Sequence, residues 1–300
     1  MDSQQLIDDS PQGVALLRTL EVSLINLRHY WPQGWPGLPL VFSRCLAQLD
    51  FSPTPREKRL QAVARCALEV AQWLEREGSY LQQRGQEPRY HNRLHMADVL
   101  VCLTLLLKAQ RCVQGVRSAQ GRLHEWLGLL AVLAHDLLHD GSINQFPAQL
   151  ESRSVEALQP LMQRHGMTEY DQRVVKHLIL QTDPVCVRQT HAHVADRHFT
   201  VEDVDCLTVL VVEADILGST LTVTAHDLTQ SLAREWELFN PTMSSALQTR
   251  SGRLRFLQGG ALFSSPASAW MGIQKARQAE IDAITRELTA QPEPSWGRTA

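Results

Sequence analysis

Residues 123–144 read LHEWLGLLAVLAHDLLHDGSIN, an apolar run that ends in a cluster of histidines and aspartates. Its first half is apolar at almost every position, which is typical of a helix buried on all sides. His135 and Asp136 come at the end of this run. Burying an ionised carboxylate there costs free energy unless it is paired or bound to a metal. The segment therefore predicts a central helix with polar chemistry at its C-terminal end.

The rest of the chain has the same helical character. Apolar residues recur at three- and four-residue spacing almost throughout, whereas the alternation typical of strands is hard to find. The spacing predicts helices over 59–83, 92–109, 121–137, 149–166, 169–180, 201–217, 225–239 and 268–290, with Ser268 as the N-cap of the last. Segments 31–37 and 52–55 are rich in Pro and Gly and predict loops. The predicted fold class is all-α.

The 300 residues are predicted to form one main body with two appended segments. Residues 56–290 carry the continuous helical pattern and are read as one domain, because helical enzymes of this size often fold around one core. Residues 1–55 are predicted to be an N-terminal helical extension that covers one face of this core or forms a homodimer contact. Residues 291–300 are predicted to be a flexible tail.

The composition argues against several classes of protein. The chain has 44% hydrophobic residues and a net charge of −3, so it lacks the basic surplus typical of nucleic-acid-binding proteins. Its apolar stretches are shorter than the ~20 residues that span a bilayer, and its N-terminus lacks the features of a secretory signal. We therefore expect a cytoplasmic protein without nucleic-acid or membrane partners. A small anionic substrate remains open, because bound metal ions supply positive charge.

A second motif covers residues 90–99, YHNRLHMADV. If this segment begins a helix, His91 and His95 are one turn apart and share a face, with Asp98 on a nearby face. Imidazoles at this spacing suit a metal site, and a neighbouring carboxylate can orient one ring. The same spacing also occurs between surface or core histidines without a ligand role.

Two further motifs supply carboxylates. His135 and Asp136 are followed by His139, Gly141 and Asn144, a combination more specific than an isolated His-Asp pair. Asp215 lies in the apolar segment 212–217, VEADIL, where it calls for a partner: an Arg, a backbone amide or a metal.

The three motifs together offer two histidines and two aspartates to one site. Mixed imidazole and carboxylate ligands suit Zn, Mn, Fe or Mg rather than a metal that prefers thiolates. They also fit a pair of hydrolytic metal ions about 3.5–4 Å apart.

These residues resemble the motifs of the HD superfamily of metal-dependent phosphohydrolases, and most closely those of the class I cyclic-nucleotide phosphodiesterase catalytic domain. The similarity covers about residues 60–290 with the motifs in the same order. The matching residues are Tyr90, His91, Asn92, His95, Asp98, Val99, His135, Asp136, His139, Gly141, Asn144, Ala214 and Asp215. More loosely, Glu151 and the 180–183 segment LQTD also resemble the family.

The resemblance implies a role for each part of the site. The tighter metal, usually Zn, would be held by His95, His135, Asp136 and Asp215. Asp136 would also bridge to a second ion, usually Mg or Mn, and a hydroxide between the two metals would attack phosphorus in line.

The resemblance also implies roles for residues around the metals. His91 would donate a proton to the departing ribose oxygen, while His139 and Glu151 would organise water around the second ion. Tyr90 would line the substrate site.

Substrate recognition is where the sequence departs from the family. Animal members use a Gln on a late helix to clamp the purine, followed shortly by a stacking Phe. The matching region 253–263 reads RLRFLQGGALF, which makes Gln258 and Phe263 the candidates. Their spacing differs and two glycines intervene, so a surface turn that happens to carry Arg and Gln is the competing interpretation.

The leading interpretation is a phosphodiesterase that converts a 3′,5′-cyclic nucleotide to the 5′-monophosphate. One alternative is an HD-superfamily phosphohydrolase that acts on another nucleotide or phosphodiester. Another is a catalytically silent binding protein, whose expected signature is the loss of a metal ligand. The motifs leave open cAMP against cGMP, the second metal and the oligomeric state.

Overall fold

The computed structural model describes residues 10–115 and 118–290, and these residues form fourteen α-helices and no strands. The helices are α1 (Pro11–Tyr30), α2 (Leu38–Gln48), α3 (Lys58–Gln83), α4 (Arg93–Gln114), α5 (Ala119–Ala134), α6 (Gln149–Arg164), α7 (Glu169–Leu180), α8 (Val187–His193), α9 (Val204–Thr220), α10 (Thr222–Trp236), α11 (Pro241–Leu247), α12 (Arg250–Gly259), α13 (Pro266–Trp270) and α14 (Ile273–Ala290). The all-α prediction is confirmed. The predicted tail, 291–300, and residues 1–9 of the predicted extension lie outside the described residues.

The helix predicted over 268–290 is wrong at its start, because two helices occupy this region. The short α13 ends at Trp270 and α14 begins at Ile273, with Gly272 between them at a φ of 76°. This left-handed backbone is accessible to glycine at little cost and breaks the helix. Ser268 is therefore inside α13 and caps nothing. The N-cap is Ser265, whose side chain accepts a hydrogen bond from the Ser268 N–H at 3.0 Å.

The centre of the molecule is built from α4, α5 and α9. Every residue of α5 from Leu123 to Ala134 is buried, because α3, α4, α6, α7 and α9 all pack around this helix. The apolar residues of α4 and α9 belong largely to the same core. The N-terminal turn of α4, the C-terminal end of α5 and the middle of α9 meet at one place. This is where the three sequence motifs lie.

The N-terminal helices share that core. Leu20 and Leu24 of α1 and Leu38 of α2 are fully buried against it. Arg28 of α1 also donates two hydrogen bonds to Asp98 of α4, from Nη1 to Oδ1 at 3.0 Å and from Nη2 to Oδ2 at 2.6 Å. Burial raises the pKa of the Asp98 carboxyl and the guanidinium opposes that rise. The described part of the predicted extension thus packs as an integral layer, and Asp98 pairs with Arg28.

Among the described residues, no single helix combines the length and apolar character needed to cross a membrane. Only α9 and α10 taken together meet that criterion, and they are bent by 91° where they join.

A buried histidine in α8 predicts part of the pH dependence of stability. His191 is 8% exposed, its Nδ1 lies 2.6 Å from the Ser264 Oγ, and burial lowers its pKa to about 4. Below about pH 6.5 this histidine binds a proton in the unfolded chain but not in the folded chain. Its contribution to stability is therefore fully present above that pH and is lost as the pH falls towards 4. Between pH 7 and 5 this group lowers the free energy of unfolding by about 2 kcal/mol.

Urea titrations at pH 7, 6 and 5 measure this contribution. We expect the loss of stability on acidification to be smaller in His191→Gln by about that amount, whereas His193→Gln, an exposed position on the same helix, keeps the wild-type dependence. Identical slopes for wild type and His191→Gln would contradict the assignment.

Candidate metal centre and cleft

The first candidate ligand, His95, projects from the first turn of α4. Asn92 is the N-cap of this helix, and its side-chain oxygen accepts hydrogen bonds from the N–H groups of residues 94 and 95 at 2.9 and 3.2 Å. Its amide nitrogen donates to the carbonyls of Pro88 and Arg89, both at 3.0 Å. The loop before α4 is therefore fastened to the helix that presents His95.

The other three candidates come from α5 and α9. His135 follows the last residue of α5, and its Nδ1 lies 2.9 Å from the carbonyl oxygen of Val132. A hydrogen bond from Nδ1–H to this carbonyl sets the tautomer and leaves Nε2 as the nitrogen available to a metal. Asp136 is the next residue, and Asp215 faces both from within α9.

The four side chains converge on one point. Nε2 of His95 lies 3.3 Å from both Asp136 Oδ2 and Asp215 Oδ1. Nε2 of His135 lies 3.2 Å from Asp136 Oδ2 and 3.3 Å from Asp215 Oδ1. Each nitrogen is thus nearly equidistant from the same two oxygens.

This arrangement fits a metal ion. Nε2 of His135 is fully buried and forms no hydrogen bond, although two carboxylate oxygens lie within 3.3 Å of it. The oxygens therefore lie off the direction of a good N–H···O bond. Ligand atoms arranged tetrahedrally about 2.0–2.1 Å from Zn are about 3.3–3.4 Å apart. The spacing and the orphaned nitrogen match that geometry, and the donors are those that Zn, Mn and Fe accept.

The electrostatics of the four groups are mutually dependent. Burial alone would lower the pKa of His95, but Asp136 and Asp215 raise it to about 9. The same carboxylates hold the pKa of His135 well above its ordinary value. Conversely, burial would raise the pKa of both carboxyls, and the imidazoles hold them below the usual range. Protons on the histidines thus balance the two carboxylates, and a divalent cation would take their place.

A second cluster adjoins the first and contains a residue that the sequence did not predict. His91 pairs through Nδ1 with Oε1 of Glu235, at the end of α10. Oε2 of Glu235 accepts hydrogen bonds from the N–H groups of Tyr90 at 2.6 Å and His91 at 3.1 Å. Burial would raise the pKa of Glu235, but the His91 ring and these two N–H groups hold it below its ordinary value. Glu235 thereby fixes the His91 ring and leaves Nε2 free.

One signal in the sequence could have found Glu235. It lies three and seven residues after Leu232 and Leu228, so it occupies the apolar face of an amphipathic helix. A carboxylate at such a position calls for a partner. Its close approach also depends on Gly141, because a Cβ there would lie 3.1 Å from Glu235 Cγ.

His139 completes this cluster by stacking on His91. The two ring centroids are 3.7 Å apart with an interplanar angle of 21°. Nδ1 of His139 accepts a hydrogen bond from the Gly141 N–H at 3.0 Å, so its proton resides on Nε2. Burial, together with the neighbouring His91, lowers the pKa of His139 to about 4. His139 is therefore a neutral donor at pH 7.

The loop that carries His139 has a constrained backbone. Leu138 and Ala148 adopt left-handed φ values of 64° and 54°, each costing about 1–2 kcal/mol for a residue with a side chain. The loop is closed by Asn144, whose Nδ2 donates to Glu151 Oε2 at 2.9 Å and whose Oδ1 accepts from the Leu150 N–H at 2.8 Å. Burial raises the pKa of Glu151. Such strain is common where a loop positions functional groups.

Residues of both clusters line a cleft of about 510 Å³. Its polar lining includes the four candidate ligands, His91, His139, Asn144 and Glu151. Its apolar lining includes Ile216, Leu228, Leu232, Trp236, Met243, Leu247 and Phe256. A molecule with a charged group and a flat apolar part fits this combination.

The structure brings most of the predicted site residues to this cleft. Tyr90 lines it, with its hydroxyl 3.1 Å from the Ser219 Oγ. Gln258 and Phe263 do not line it. Gln258 is exposed, because it lies about 200° around α12 from Phe256, which does face the cleft. Phe263 packs against the hydrophobic core instead.

Arg253, three residues before Phe256, shares the face of α12 that borders the cleft. Its guanidinium is held in place by Glu280, which accepts bonds from Nε and Nη2 at 2.8 and 2.9 Å. It also donates to the last carbonyls of α9, at Ser219 and Thr220. Arg253 thus ties α12 and α14 to the helix that carries Asp215.

No family model matches this chain, and no curated protein matches it. Its function is therefore inferred from the geometry and chemistry of the cleft.

Proposed function

We propose that this chain is an HD-type metal-dependent phosphodiesterase that hydrolyses a 3′,5′-cyclic nucleotide to the 5′-monophosphate. The observation that carries the proposal is the convergence of His95, His135, Asp136 and Asp215 at 3.2–3.3 Å on one point. The orphaned Nε2 of His135 supports a metal ion at that point. The apolar residues in the lining of the cleft support a substrate with a flat base.

His95, His135, Asp136 and Asp215 would hold one ion, expected to be Zn, and the second Asp136 oxygen would contribute to a Mg or Mn site. When bound, such ions offset the charge of the phosphoryl oxygens and lower the pKa of water. The protein contributes a rigid frame, since two ligands come from helices and a third follows the end of one. Glu151, held by Asn144, lines the same cleft and would order water there.

His91 is suited to deliver a proton to the leaving oxygen. Glu235 binds the Nδ1 side of the ring, so Nε2 is the atom that can exchange a proton with a substrate. Glu235 thus orients the ring, as a carboxylate does in other acid–base pairs. The stacked His139 limits rotation of the ring.

His91→Ala is expected to slow hydrolysis in a way that depends on the leaving group. A ribose alkoxide needs a proton as it departs, so cyclic-nucleotide hydrolysis should fall about 10²–10⁴-fold. A p-nitrophenolate leaves without one, so bis(p-nitrophenyl) phosphate should be hydrolysed at no less than about a tenth of the wild-type rate. Steady-state rates on both substrates measure the difference. Glu235→Gln should show the same pattern more weakly, and Glu237→Gln, an exposed neighbour, should show neither. Equal slowing on both substrates would contradict the acid role.

The test of the proposed function combines metal analysis with a substrate panel. Purified protein should contain stoichiometric transition metal by elemental analysis. It should hydrolyse cAMP or cGMP with added Mn or Mg faster than linear dinucleotides and nucleoside mono- or triphosphates. Protein with no affinity for Zn or Mn would overturn the metal site, and turnover confined to another substrate would overturn the cyclic nucleotide alone.

The second candidate function is hydrolysis of another nucleotide or phosphodiester by the same metal centre. The exposed position of Gln258 favours it, because a purine clamp would have to face the cleft. The same substrate panel separates the two.

A further inference from the structure

A second cavity, of about 280 Å³, lies behind the segment that carries His91. Four parts of the fold border it and leave it open to solvent: the loop after α1, the end of α3, the segment 87–92 and the last turns of α10. Its lining is predominantly polar and includes Trp31, Gln82, Arg89, Asn92, Ser231 and Arg234. None of the proposed metal ligands lines it.

Two exposed arginines, Arg89 and Arg234, line the cavity without a partner in the described part of the chain. Within the described residues, neither Arg89 nor Arg234 forms a hydrogen bond or an ion pair through its guanidinium. The only carboxylate in the lining is that of Glu87, and both of its oxygens are bound by Arg93, at 2.8 and 3.1 Å. Arg93 shares its charge between Glu87 and Glu75, so the lining carries two arginines against one carboxylate that is already engaged in hydrogen bonds. Two guanidinium groups on one small cavity suit an anion.

The two arginines lie on the same two segments that Glu235 connects at the cleft: the segment before α4 and the end of α10. Arg89 directly precedes Tyr90, and Arg234 directly precedes Glu235. On the cleft side, Glu235 accepts the N–H groups of Tyr90 and His91. On the cavity side, the same two segments each present an arginine to the lining, and like charges on one cavity repel each other. An anion bound to both arginines would reverse that effect and draw the segments together.

We infer that this cavity is a binding site for a small phosphate-bearing anion, and that its occupancy tightens the contact between segment 88–92 and α10. Planar guanidinium groups match the oxygens of a phosphate, and Ser231 and Gln82 offer further polar groups in the lining. The volume admits inorganic phosphate or the phosphate end of a nucleoside monophosphate. Anion binding in this cavity does not depend on the proposed function. Only the consequence of that binding for His91 as a proton donor rests on the proposed function.

Calorimetric titration of the full chain with inorganic phosphate, and separately with 5′-AMP, tests the site. We expect binding to weaken at least tenfold in Arg89→Ala and in Arg234→Ala. Arg65→Ala, which removes an equal charge from the exposed face of α3, should bind as wild type does. Arg234→Glu should abolish binding, because it replaces one of the two positive charges with a negative one. Unchanged affinity in the Arg89 and Arg234 variants, or equal weakening in Arg65→Ala, would overturn the site.

Asp136→Ala separates this cavity from the metal centre. Phosphate binding should persist in Asp136→Ala, since Asp136 does not line the cavity. Binding lost in Asp136→Ala but retained in both arginine variants would place the anion at the metal centre and refute the inference. A chain that hydrolyses no phosphodiester can still bind phosphate in this cavity. The anion site and the proposed function can therefore be refuted independently of each other.

Hydrogen exchange tests the mechanical consequence. The N–H groups of Tyr90 and His91, which Glu235 accepts, should exchange several-fold more slowly in wild type with phosphate than without it. The Arg234→Ala variant should show no slowing. Tight binding without any change in exchange would refute the tightening of the contact while leaving the anion site in place.

Discussion

Asp136→Ala is expected to remove the bound metal and to reduce phosphodiester hydrolysis by about a thousandfold or more, since Lewis-acid stabilisation of the transition state is worth several kcal/mol. Asp136 Oδ2 lies 3.2–3.3 Å from the Nε2 atoms of both His95 and His135. Elemental analysis and the rate on bis(p-nitrophenyl) phosphate measure the two effects.

Asp140→Ala is the matched control for this substitution. Asp140 belongs to the same loop, but its side chain is 57% exposed. Its Oδ2 lies 3.6 Å from Nη1 of Arg153, which is itself exposed. Such an exposed ion pair contributes little. The control should keep its metal and its rate, and circular dichroism should show unchanged helix content in both variants. An Asp136→Ala protein that kept stoichiometric metal and more than a tenth of its activity would refute the cluster.

Arg93→Ala is expected to lower the free energy of unfolding by about 3–5 kcal/mol, the range for breaking a buried ion pair from one side. Arg93 is 4% exposed and its guanidinium binds Glu75 and both oxygens of Glu87. It also donates to Ser79 and Gln82, each at 2.6 Å. Truncation would leave two carboxylates without their cation.

The close packing around the Arg93 side chain also restricts the residue that α3 can carry at position 78. A Cβ on Gly78 would lie 2.5 Å from the Arg93 Cδ, so the helix needs glycine at this position. Urea unfolding of Arg93→Ala, compared with Arg84→Ala on the exposed end of α3, measures the effect. A difference below about 0.5 kcal/mol between the two variants would show that the network contributes no stability.

Most of the candidate metal centre was predictable because its ligands lie in short motifs with helical periodicity. His135 and Asp136 end a run of apolar residues, and a buried helix end with charged groups admits few explanations. Asp215 is a carboxylate in an apolar segment, where the same argument holds. The structure places these residues and His95 within reach of one ion.

Contacts between distant segments were not predictable. Glu235 lies 144 residues after His91, and nothing local indicates that they meet. Which residues of α12 face the cleft depends on the rotation of that helix about its own axis. The spacing of Gln258 and Phe263 did not reveal that rotation. The break at Gly272 depends on a single backbone conformation.

The N-terminal helix was also hard to place from its pattern. Of its twenty residues, only Gly13, Leu20 and Leu24 are buried, so its amphipathic signal is weak. Its packing includes the long-range pair of Arg28 with Asp98, which a local pattern does not contain.

That pair also constrains the order in which the chain can fold during synthesis. Arg28 emerges from the ribosome 70 residues before Asp98, its partner on the helix that presents His95. The first helix therefore cannot form this pair, or bury Leu20 and Leu24 against the core, until α4 has been made. Segments closed by such late contacts are points where a nascent chain is most exposed to chaperones and to aggregation.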